Sequence, residues 1–150
     1  MTPEQKINAI LSEFAVELGL EPAGLVLDGE YACLAVDKAA VLHLKLLPES
    51  AALDLFMELG PVPPAVRQAV CEDMLQANVL FQATEGAALG FDRERGIAVA
   101  TLRLDVDGLT AARFKDRVER FLIMTEFWAK RIGGVPEAAP EPGFNAFLRV

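Results

Sequence analysis

The residues able to do chemistry in this chain are few and scattered. His43 is the only histidine, and it alternates with leucines in the stretch Val41-Leu42-His43-Leu44. One imidazole cannot assemble a metal centre unaided, and neither Cys33 nor Cys71 stands at ligand spacing from another donor. The expected place for His43 is therefore the solvated face of a sheet. Ser12 and Ser50 fall on a helix surface and at a helix start, with no Gly-x-Ser-x-Gly turn to activate a nucleophile. Glu13/Glu17 and Glu72/Asp73 lie on expected helix surfaces, where acids are ordinarily hydrated. Gly86-Ala-Ala-Leu-Gly90 lacks the Gly-Lys-Ser/Thr ending of a phosphate loop. Arg113, Arg117 and Arg120 make a basic edge on the last helix, interleaved with Asp116 and Glu119. These side chains support no enzyme, and imply no metal and no cofactor.

The elements that must carry them are more informative. At 150 residues, 53% hydrophobic and 24% charged, the chain is expected to form one domain with a sizeable core. A net charge of −8 argues against nucleic acid or an anionic membrane surface as partner. The acidity sits at the front, where residues 1–60 hold three Lys/Arg against ten Asp/Glu. The polar start Met-Thr-Pro-Glu-Gln-Lys is not a signal peptide, and no apolar run reaches the length of a membrane span. The expected location is the cytoplasm, with both cysteines as buried free thiols.

Thr2-Pro3-Glu4-Gln5 reads as a capping box that opens a helix, which Gly19 ends. Ile7, Ile10, Leu11, Phe14 and Leu18 form its apolar stripe. Strands are expected at 24–27 and 30–36 around an Asp28-Gly29 turn, and at 41–47. Ser50 to Gly60 reads as a short helix carrying Leu53, Leu55, Phe56 and Leu59. A helix over 65–82 should bury Val66, Ala69, Val70, Met74, Ala77 and Phe81. A hairpin over 88–104 follows, then a long helix from Leu109-Thr110 to Gly133-Gly134 with Phe114, Val118, Phe121, Leu122, Thr125 and Trp128 in register. The domain is expected to span residues 1–132. Residues 133–150 form a Pro/Ala/Glu spacer and an apolar tail. The apolar faces exceed what one two-layer core readily hides, which leaves open either full internal packing or a partner surface.

This order, α-β-β-β-α-α-β-β-α, resembles the class I type III secretion chaperones of the Tir-chaperone-like family. The resemblance rests on the helix ending Leu18-Gly19-Leu20, the turn Asp28-Gly29 and the strand Val41-Leu-His-Leu. It continues through the helix ending Met74-Leu75-Gln76-Ala77-Asn78, the segment Leu89-Gly90-Phe91-Asp92, and the last helix with Phe121 and Trp128. It covers residues 4–132. It implies an α+β fold with helices packed on a twisted antiparallel sheet, a bacterial cytoplasmic homodimer and no catalysis. The implied partner is the extended N-terminal segment of a secreted effector, kept secretion-competent and targeted to the export apparatus. By the same resemblance the client groove falls on Phe14, Leu18, Leu25, Leu27, Leu34 and Leu44. The dimer seam falls on Leu55, Phe56, Leu59, Leu89, Phe91 and Val99. Phe144, Phe147 and Leu148 of the tail are expected to fold back, or reach a neighbouring subunit, and fill a client groove. The alternative is a stand-alone α+β module that binds a folded partner.

Overall fold

The computed structural model describes residues 1–37 and 40–133. Helix α1 (Pro3–Glu17) begins in the expected capping box. The Gln5 N–H donates to Thr2 Oγ1 at 3.1 Å, and the Thr2 N–H donates to Gln5 Oε1 at 2.9 Å. It ends in a Schellman motif. Gly19 takes φ +78°, the Leu20 N–H reaches the Ala15 carbonyl at 2.9 Å and the Gly19 N–H reaches that of Val16 at 3.0 Å. Ile7, Ile10, Leu11, Phe14 and Ala15 are buried.

The strand expected at 24–27 does not form. Pro22–Gly24 makes a single 3-10 turn, and the Leu27 N–H is taken by Asn8 Oδ1 of α1 at 2.9 Å. This segment therefore packs against the helix instead of pairing in the sheet. Pairing starts at Asp28 and Tyr31, which exchange both backbone bonds across Gly29-Glu30, with Gly29 at φ +64°.

Five strands follow: β1 (Tyr31–Ala35), β2 (Val41–Leu47), β3 (Ala52–Pro61), β4 (Ala88–Asp92) and β5 (Ile97–Asp105). They form one antiparallel sheet in the order β1-β2-β3-β5-β4. The short helix expected over 50–60 is thus the central strand. Its apolar residues satisfy a period of two: Leu53, Leu55, Met57 and Leu59 are all buried. Neighbours on both sides satisfy its backbone. Gly60, read as a helix stop, instead takes φ +118° where the register slips between Glu58 and Gly60.

Helix α2 (Arg67–Ala77) stops at Asn78, short of the expected 82, because Leu80 and Phe81 enter the left-handed region at φ +59° and +53°. Of its expected stripe, Met74 and Ala77 are buried and Val70 is half-buried, while Val66, Ala69 and Phe81 are exposed. Helix α3 (Ala111–Ile132) is capped by Thr110, whose Oγ1 accepts from the Arg113 N–H, and buries all six expected residues. The observed order is α-β-β-β-α-β-β-α. The class is the expected α+β, with helices on a twisted antiparallel sheet.

One face of the sheet is covered. Leu42, Leu44, Leu46, Leu55, Ala100 and Leu102 pack there with Phe14 and Phe114, whose rings meet edge to face at 5.2 Å. The opposite face carries Tyr31, Cys33 and Ala35 of β1, Val41, His43 and Lys45 of β2, and Asp54, Phe56 and Glu58 of β3, all exposed or half-buried.

Candidate functional site

His43 lies on that bare face, as its alternation with leucines implied. Strand register places Cys33, His43, Phe56, Thr101 and Ala88 in one row across all five strands. Tyr31 packs against His43 at 5.8 Å between ring centroids, and His43 against Phe56 at 5.9 Å. The Tyr31 hydroxyl is hydrogen-bonded to His43 Nδ1. Desolvation first, then the neighbouring Cys33 thiol, push the Tyr31 hydroxyl above its ordinary value. Cys33 is exposed, not buried as expected, because odd-numbered residues of β1 face away from the helices; Cys71 is half-buried, and both thiols are free.

The charged groups pair with one another. Arg103 binds Asp54 through both carboxylate oxygens at 2.7 and 2.8 Å. Arg95 joins Glu58 and Asp92, Arg120 joins Asp116 and Glu85, and Lys115 joins Glu17. These are exposed pairs, worth little individually. Among the described residues no group of three or more His, Cys, Asp or Glu side chains could hold a metal ion. No described helix is long and apolar enough to cross a membrane.

The two margins of the sheet differ. At the β4 margin, Asn78 Nδ2 donates to the Leu89 carbonyl and Asn78 Oδ1 accepts from the Leu89 N–H, each at 2.9 Å. At the β1 margin, the inward bonds of Glu30 and Val36 leave odd-numbered residues facing out. Tyr31 spends its outward groups on Asp28. The peptide groups of Cys33 and Ala35 remain, and among the described residues nothing bonds them.

Apolar surface gathers in two further places. Val16 (55% exposed), Leu20 and Val26 stand out around the end of α1 and the segment leading into β1. In the last turn of α2 and just beyond it, Leu75 (68%), Val79, Leu80 (79%) and Phe81 form an apolar corner beside the β4 margin. Sequence reasoning marks neither set as exposed surface: Phe81 is expected in the buried stripe of α2, and the other residues fall outside the expected stripes.

Of the groove residues expected from sequence, Leu18 and Leu34 are half-buried and pack against the core. Phe14, Leu25, Leu27 and Leu44 lie in the core of the single chain. Of the expected seam, Phe56 and Val99 are half-buried on the bare face, and Phe91 is half-buried under the Arg67 guanidinium at 5.1 Å. Leu55, Leu59 and Leu89 face the core.

Residues 9–129 match the Tir chaperone protein (CesT) family. No curated protein matches the sequence significantly. Solved structures with the same fold include a chain of the ExsC–ExsE complex, at 24% identity and a TM-score of 0.73, over 88% of this chain and 97% of that one. A chain of the HopA1–SchA chaperone–effector complex matches at 22% and 0.68, over 85% and 95%. The type III secretion chaperone SycH of Yersinia pestis, solved with a stable fragment of YscM2, matches at 20% and 0.64, over 81% and 98%.

Proposed function

Because the chain belongs to the Tir chaperone protein family, we propose that it is a non-enzymatic, homodimeric chaperone for a type III secretion effector. It binds the effector's N-terminal segment in extended form, keeps that segment unfolded and presents it to the export apparatus. The observation that carries this reading is the β1 margin, where the peptide groups of Cys33 and Ala35 are unbonded, on a chain that also exposes apolar residues at the end of α1. An extended client has an unsatisfied backbone and apolar side chains without a core. Strand addition answers the first need, and a flanking apolar surface answers the second. The fold shared with chains from solved chaperone–effector complexes supports the same reading.

The client groove then runs along Val16, Leu18, Leu20, Val26 and Leu34, with Phe14, Leu25, Leu27 and Leu44 as its floor. The dimer seam lies on the apolar corner of Leu75, Val79, Leu80 and Phe81, continued by Phe56, Phe91 and Val99. Leu55, Leu59 and Leu89 support it from beneath. Leu80 and Phe81 hold left-handed backbone conformations while showing their side chains to water, two unfavourable choices that a covering surface would offset.

Light scattering after size-exclusion chromatography tests the assembly: a mass near twice 16.2 kDa at micromolar concentration is expected. Hydrogen exchange on the complex with a candidate effector tests the client. The bound N-terminal segment should gain protection as a strand while remaining without tertiary structure. A partner bound only in its folded form, or a monomer with and without client, would overturn the proposal.

A further inference from the structure

Between α2 and the end of α3 lies a cleft of about 360 Å3, lined by Val66, Val70 and Asp73 on one side and Trp128, Arg131 and Ile132 on the other. That is within the size range of clefts that hold a ligand, about 300–1,000 Å3. Its walls are mainly apolar. Its rim is a charged pair, Arg131 to Asp73 at 3.0 Å, and the same guanidinium lies 5.8 Å from the centre of the Trp128 ring. The cleft is separate from the end of α1 and the β1 margin.

The position of the cleft names its occupant. Arg131 and Ile132 are the last residues of α3, so the chain leaves the described structure at the cleft itself. Residues 134–150, including the tail expected above to fill a client groove, lie outside the described residues. Their sequence is a spacer rich in Pro, Glu and Ala followed by Phe144-Asn-Ala-Phe147-Leu148. A spacer of ten residues, 134–143, can reach up to about 33 Å, far more than return to the starting point requires. Closing a loop of that length costs little more than closing a shorter one. A tethered segment also meets its site at an effective concentration of roughly millimolar, which favours the chain's own tail over a second copy.

We propose that the segment Phe144–Leu148 docks in cis into the α2–α3 cleft, with its phenylalanines against Val66, Val70 and Trp128. The tail then acts as a strap joining α2 to α3, and it leaves the client groove open.

Methyl and indole NMR of the full chain tests this, with Trp128 as the protein's only tryptophan. Truncation after Gly133 should shift the Val66, Val70 and Ile132 methyl signals and the Trp128 indole N–H. The double substitution Phe144→Ser and Phe147→Ser should give the same shifts without shortening the chain. A synthetic peptide of residues 140–150, added to the truncated chain at roughly millimolar concentration, should reverse them. Unchanged cleft signals would overturn the proposal. Shifts at Val16, Val26 and Leu34 instead would place the tail in the client groove. Shifts that fade on dilution of the full chain would assign it to a neighbouring copy. Client affinity is read separately, so failure of the strap and failure of the chaperone reading are distinguishable.

Discussion

Asn78 grips Leu89 as a neighbouring strand would. Its amide nitrogen donates to the Leu89 carbonyl and its amide oxygen accepts from the Leu89 N–H, both at 2.9 Å. An edge strand normally offers such groups to any passing chain. Here the residue that ends α2 occupies them, and one side chain joins helix and sheet.

Replacing Asn78 with Ala should leave both partly buried Leu89 groups unpaired and cost about 1–3 kcal/mol. The urea midpoint should fall while the slope of the transition is unchanged. Asn78→Asp should not rescue it, since a carboxylate offers the Leu89 carbonyl no donor. A midpoint equal to wild type would show that water replaces the amide at no cost.

Leu80→Asn should act in opposite directions on folding and assembly. Leu80 holds φ +59°, where asparagine is tolerated, so the single chain should gain up to about 1 kcal/mol. Self-association should weaken, because 79% of the Leu80 surface is available to a partner. Thermal melts under monomeric conditions and sedimentation equilibrium read the two effects. Unchanged association would move the seam away from this corner.

Cys33→Pro removes an outward N–H from the open margin. Proline is accepted on an edge strand when its nitrogen faces solvent, so the fold should survive. Client binding should weaken about three- to ten-fold, the worth of one ladder bond. Cys33→Ser keeps the N–H and should bind normally. Leu34→Pro, whose nitrogen faces β2, should unfold the sheet. Full client affinity in Cys33→Pro would place the client elsewhere.

Asp92 makes one acid-sensitive contribution. Its carboxylate accepts from the Arg95 side chain, the Arg95 N–H and the Glu94 N–H, and these hold it below its ordinary value of 3.8. The folded value lies below the unfolded one. The stabilisation is therefore complete above the unfolded value and disappears as pH falls through the folded value. Urea midpoints at about pH 5 and pH 3 should differ less in Asp92→Asn than in wild type. Equal pH slopes would show that the turn is indifferent to this charge.

The helices that carry their own end signals could be read from sequence. Thr2 with Gln5 and Gly19 bound α1, and Thr110 with a six-residue stripe identified α3. β3 was misread because Ser50 and Gly60 imitate helix ends, while Leu53, Leu55 and Leu59 fit a helix stripe loosely and a strand better once Met57 is included. The true arbiter is non-local: β2 and β5 stand ready to take both edges of residues 52–61. The same limit applies to the candidate site. Nothing local tells Leu27, which is buried, from Val26, which is half exposed; the bond that the Leu27 N–H donates to Asn8 Oδ1 sets that orientation from nineteen residues away.

Helix α1 is locked at both ends, by the Thr2–Gln5 box and by the Gly19 turn, so its fifteen residues make a bar about 22 Å long that has little freedom to wind or unwind. A surface built on such a bar arrives already ordered. On the proposed reading, where the client groove runs along the end of this bar, nearly all the entropy lost on binding comes from the client chain. The bar's own share of the binding cost is then small, and on the proposed reading it would present the same surface again after a client leaves, without a refolding step of its own.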